Sequence, residues 1–121
     1  MADVESVIAP WIEATLSVTA GAETPPDLEN VLPFVRVQRA GGADERFAAH
    51  PRIAVDVFAA TADEARTLAN SVRDALLFLN GSVPDAVVRG VRCTSGPSRR
   101  PWANPAVHRR GAAYSVSLRD A

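Results

Sequence analysis

Two short stretches constrain what this chain can fold into more than anything else in it. "VLPFVRVQR" (residues 31–39) and "RIAVDVF" (residues 52–58) both alternate apolar and polar residues with the period of two that marks an extended strand. Set antiparallel, a single register satisfies every position. Phe34 faces Phe58, Val35 faces Val57, Arg36 faces Asp56 and Val37 faces Val55. An aromatic pair and an ion pair then share one face of the hairpin, and valines line the other. The segment between the strands, "AGGADERFAAHP", is too long and glycine-rich for a tight turn. The glycine-rich loop Gly41 to Pro51 is expected to be a charged arm with Phe47 as its apolar anchor beside Arg46, mobile in an isolated subunit and ordered where it meets a neighbouring subunit.

The remaining elements follow from periodicity. Val4, Val7, Ile8, Trp11, Ile12 and Leu16 lie on one helical stripe, with Pro10 inside it to kink or divide the helix. Residues 19–30, "TAGAETPPDLEN", read as a linker. The clearest element is a helix over residues 61–80, with a Thr61/Glu64 capping box and Asp63 and Glu64 in its first turn. Apolar residues follow at helical spacing, and Gly81 supplies the stop, with Asn80 at the cap. Two more strands, "AVVRGVRCTS" and "RGAAYSVSLR", complete the chain. The expectation is one α+β domain over 1–121: a kinked N-terminal helix (1–18), a linker (19–30), and a sheet with its central helix (31–119). Helix-strand-strand-helix-strand-strand implies a mainly antiparallel four-stranded sheet with the helices packed on one face.

Composition narrows function by exclusion. A net charge of −1 gives no general attraction to nucleic acid or acidic membranes. One cysteine excludes an internal disulfide and a multi-cysteine metal site. No apolar run approaches the ~20 residues of a membrane span, and "MADVESV" lacks the features of a signal peptide. Cys93 and His108 would make a nucleophile–base pair only with an orienting third group, and none accompanies them. Asp56, Asp63 and Glu64 already have structural roles. No enzyme, no metal site and no cofactor is expected.

The stretch "TSGPSRRPWANPAVHRR" (residues 94–110) is far richer in Arg, Pro and aromatic material than a strand connection requires. Arginine and tryptophan are enriched in protein–protein interfaces, and prolines reduce the ordering cost of docking. The loop from Ser95 to Pro105 is therefore expected to cross a subunit boundary. Trp102 would be the buried anchor, Arg99 and Arg100 would meet a neighbour's carboxylates, and Asn104 would close a turn. Arg46, Phe47, Arg36 and Asp56 complete the expected interface set. A nucleic-acid role for the same arginines has weaker support, because no nucleic-acid motif is present.

The run "LPFVRVQRAGGADERFAAHPRIAVDVFAATADEARTLANSVRDALL", followed by "TSGPSRRPWANPAVHRRGAAYSVSLR", resembles the tail terminator (tail-completion) proteins of long-tailed, actinobacteriophage-like phages. The resemblance covers roughly residues 28 to 119. It implies a subunit of a homo-oligomeric ring, usually a hexamer, at the head-proximal end of the phage tail. Such a ring stops tail-tube polymerisation, joins the tail to the head connector, and lets DNA pass without sequence-specific binding. Its implied partners are the tail tube protein and the neck proteins, with no cofactor and no membrane. It is made in the host cytoplasm and resides in the virion. A head-closure or minor tail protein and a small soluble nucleic-acid binder are the alternatives. Asp27, Glu29, Asp44 and Glu45 are the candidates for a carboxylate-lined channel.

Overall fold

The computed structural model describes residues 3–84 and 86–120; Met1 and Ala2 of the expected N-terminal segment lie outside them. Strands β2 (Phe34–Asp44) and β3 (Ala49–Ala59) pair antiparallel, with Phe34 opposite Phe58, Val35 opposite Val57, Arg36 opposite Asp56 and Val37 opposite Val55. The alternation specified this register because one face is buried, so a one-residue slip would expose the valines. The segment expected as a loop is instead mostly strand. Pairing continues from Gly41 opposite Arg52 to Asp44 opposite Ala49, after a bulge between Arg39 and Gly41. Ala40 is the extra residue of that bulge, and the two glycines follow it: both have positive φ, and a Cβ at Gly42 would run into the backbone of His50 to Arg52. Only the tip at residues 45–48 turns, closed by the Glu45 N–H donating to the Ala48 carbonyl at 2.7 Å.

Helix α1 (Val4–Leu16) runs through Pro10 without a break and ends where Ser17 adopts a left-handed conformation. Helix α2 (Ala62–Phe78) starts at Thr61, whose Oγ1 accepts from the Glu64 N–H at 3.1 Å. It stops short of the expected Asn80. Leu79 turns to an extended conformation and buries its side chain, and Gly81 then opens a strand rather than capping the helix.

The sheet has six strands, not four. Thr19–Gly21 (β1) pairs parallel to β2, Gly81–Val83 (β4) pairs antiparallel to β5 (Ala86–Arg100), and β6 (His108–Asp120) lies between β5 and β3. The order is β1-β2-β3-β6-β5-β4. The expected linker supplies β1 because the outer edge of β2 would otherwise leave peptide groups unpaired. Two side chains hold it there: Glu13 accepts from the Ala20 N–H at 2.9 Å, and Gln38 donates to the Ala22 carbonyl at 3.1 Å.

Both helices cover the valine face. Val4, Ile8 and Ile12 of α1 join Val72 and Leu76 of α2 against Val35, Val37, Val55, Val57, Tyr114 and Leu118 in one main core. On the opposite face, at the end where β2 begins, Leu28, Phe34, Phe58 and Val107 form a smaller cluster. The two faces of the α2 C-terminus give a direct check. Leu76 is fully buried while Leu77 is 44% exposed. Urea unfolding should show a loss of about 2–5 kcal/mol for Leu76→Ala and a change within about 0.5 kcal/mol for Leu77→Ala.

Candidate functional site: an arginine-lined cleft

The smaller cluster carries a buried carboxylate. Asp56 projects from β3 on the face opposite the main core, with its side chain only 6% exposed. Arg36 of β2 donates Nη2–H to its Oδ2 at 2.9 Å, and Arg109 of β6 donates Nε–H to its Oδ1 at 2.9 Å. One carboxylate thus links three adjacent strands. Space for it exists because β6 carries Gly111 opposite Asp56; a Cβ there would lie 2.8 Å from Oδ1.

Trp102 closes this arrangement from above. Its ring meets Phe58 edge-on, with centroids 4.7 Å apart, and the guanidiniums of Arg36 and Arg109 lie 5.7 and 5.5 Å from its centroid. Arg109 also donates to the Pro101 carbonyl at 3.4 Å. Asn104 closes a turn through its side chain, accepting from the Ala106 N–H at 3.0 Å, which returns the chain to Val107 and the cluster. The expected Ser95–Pro105 loop is therefore shorter than its sequence suggests: Ser95 to Arg100 belong to β5, and the connection begins at Pro101. Trp102 folds onto its own sheet, half-buried, so the contact that the chain itself gives this ring is intramolecular.

Beside Trp102 lies a cleft of about 230 Å³ lined by Ala62, Ala65, Arg99, Arg100, Arg109 and Arg110 among others. Register places like charges directly across from each other: Arg99 opposite Arg110 and Arg100 opposite Arg109. Directly opposed like charges destabilise a sheet. Of these four, only Arg109 has a carboxylate partner among the described residues. The cleft is therefore a site of uncompensated positive charge suited to a carboxylate or another anion.

The structure separates the other expected interface residues from this site. Arg46 and Phe47 sit at the β2–β3 tip, the Arg46 guanidinium 5.1 Å from the Phe47 centroid, at the far end of β2 from Phe34. Of the candidate channel carboxylates, Asp44 pairs with Arg39 at 3.0 Å and Glu45 lies 3.4 Å from His50. Cys93 and His108 are not brought together. Although β5 and β6 are neighbours, Cys93 faces Tyr114, whose phenol is pushed well above its ordinary range by burial, with nearby Cys93 adding to the effect. Sequence reasoning missed Arg109 as the second partner of Asp56. The hairpin pattern gives the β2–β3 register, but nothing local places β6 beside β3.

Removing the carboxylate isolates its role. Asp56→Ala leaves two guanidiniums packed against Trp102 and Phe58 without a counter-charge, and should cost about 3–5 kcal/mol in urea unfolding. Disrupting an exposed pair such as Arg66–Asp63, 3.1 Å apart on α2, should cost less than about 1 kcal/mol by the same measurement.

No family model matches the sequence, and no curated protein matches it. The fold is similar to a chain in the solved structure described as "Virion of native gene transfer agent (GTA) particle", with a TM-score of 0.60 and 14% sequence identity over 89% of this chain and 84% of that one.

Proposed function

We propose that this chain is a structural virion protein that forms a ring at the head-proximal end of a phage-type tail tube. In this role it ends tube polymerisation and joins the tail to the head connector. The observation that carries the reading is the fold likeness to a chain of a gene transfer agent virion, which extends over 89% of this chain and 84% of that one. A ring of identical subunits needs two unlike surfaces on each subunit, one docking onto the other. The chain offers unlike ends: Arg99, Arg100 and Arg110 at one end of the sheet, and the hairpin tip with Phe47 at the other.

The cationic cleft fits acidic side chains of a neighbouring subunit or of the tube, because arginine's planar fork suits carboxylates. A nucleic-acid reading has less support. Single-strand binders stack bases on open aromatic rings. Trp102 is instead engaged by Phe58, Arg36 and Arg109 of its own chain. The role requires no catalysis and no cofactor.

The test is removal of the protein from a particle-producing cell, followed by electron microscopy of the particles. The terminator role is expected to give tails of uncontrolled length lacking heads. Tails of normal length with unattached heads would instead indicate a head-closure component, and unaltered particles would overturn the virion role.

A further inference from the structure

Two features at opposite ends of the subunit match each other. The first is the hairpin tip. Phe47 is 74% exposed, and Arg46 lies over its ring. A bulge between Arg39 and Gly41 interrupts the ladder beneath the tip. The second is a largely apolar groove of about 530 Å³ between α2 and the start of β2, lined by Pro33, Asp63, Glu64, Thr67, Leu68 and Ser71. It is large enough for one aromatic side chain, and two carboxylates stand at its rim.

We infer that the β2–β3 tip of one subunit seats in the α2–Pro33 groove of a second copy, with Phe47 inserted beside Leu68 and Pro33 and Arg46 paired with Glu64 and Asp63. The inference rests on the ring reading above and names the contact that builds the ring. Charge complementarity selects the occupant. The tip carries a cation next to its only large apolar side chain, and the groove carries carboxylates next to its apolar floor. Among the described residues Glu64 has no side-chain ion pair, and Asp63 has only the exposed Arg66. Geometry excludes self-docking. Pro33 immediately precedes β2 and the tip immediately follows it, so the full strand, Phe34–Asp44, separates knob from groove. At ~3.3 Å per residue that is on the order of 35 Å. A knob and a groove at opposite ends of one subunit make a head-to-tail contact, which closes into a ring when its rotation divides a full turn.

The experiment measures the mass of the purified chain in solution over a concentration series. It compares wild type, Phe47→Ala, Arg46→Glu, Glu64→Arg and the combined Arg46→Glu/Glu64→Arg. All the changed side chains are exposed, and circular dichroism and melting verify that each variant is folded. The wild type is expected to form a closed oligomer. Each single variant should raise the concentration needed for assembly by about tenfold or more. The charge swap should recover most of the loss left by Arg46→Glu. A ring that forms equally well in every variant overturns the contact while leaving the ring reading intact. So does a charge swap as weak as its two parents. Variants that assemble normally but fail to cap tails also overturn it, because the tip then docks on another virion protein. A wild-type chain that stays monomeric and is missing from particles overturns the contact and the ring reading together.

Discussion

The end of the sheet that carries the cleft depends on one buried carboxylate. Moving a carboxylate out of water costs several kcal/mol even after relaxation, and only close opposite charges with good hydrogen bonds offset it. Asp56 meets that condition with two guanidiniums at 2.9 Å, one from each flanking strand. Everything around it follows from accommodating this group. Gly111 leaves the space its oxygens fill, Phe58 and Trp102 exclude water, and Arg36 and Arg109 spread over the Trp102 ring. Because Trp102 is engaged on its own sheet, the connection from Pro101 to Val107 is held in place. The guanidiniums of Arg99, Arg100 and Arg110, which have no carboxylate partner among the described residues, stand beside this packed connection.

Positive charge at one end is matched by exposed apolar surface at the other. Ala49, at the base of the hairpin, lies across from Leu118, which lies across from Val88, and Val88 pairs with Gly81 just beyond α2. The hairpin tip and the α2 C-terminus therefore share an end of the molecule, and Phe47, Leu77 and Phe78 are its exposed large apolar side chains among the described residues. A subunit that is cationic at one end and apolar at the other is polar along its length. Polarity of that kind suits head-to-tail assembly, in which each contact uses two different surfaces.

Much of this was legible in the sequence, and the particular successes have a common cause. The pairing of Arg36 with Asp56, the burial of Val35 and Val37, the cap at Thr61 and the Asn104 turn all depend on residues close in sequence or on one hairpin's alternation. The failures also share a cause. Gly41 and Gly42 have the composition of a loop, yet they continue a long ladder past a bulge, and at Gly42 the β3 backbone approaches too closely for a side chain. Thr19–Gly21 has the composition of a linker, yet it becomes a strand because the edge of β2 offers unpaired peptide groups. Trp102 lies in a stretch with the composition of a loop, yet its ring packs edge-on against Phe58 with Arg109 over its face, because β3 and β6 bring those side chains beneath it.

The sequence by itself determined the α+β class, the order of the main elements, the β2–β3 register and the helices' buried stripes. These depend on periodicity, and periodicity is a local property that one burial face enforces. Only the tertiary structure decided that β6 lies between β3 and β5, that Arg109 completes the Asp56 clamp, and that Arg99 and Arg110 face each other across the ladder. It alone also put the Phe47 knob and the α2–Pro33 groove at opposite ends of the subunit. Those relations join segments far apart in the chain. Their energies come from desolvation, charge and close packing at contacts that do not exist until the sheet is assembled.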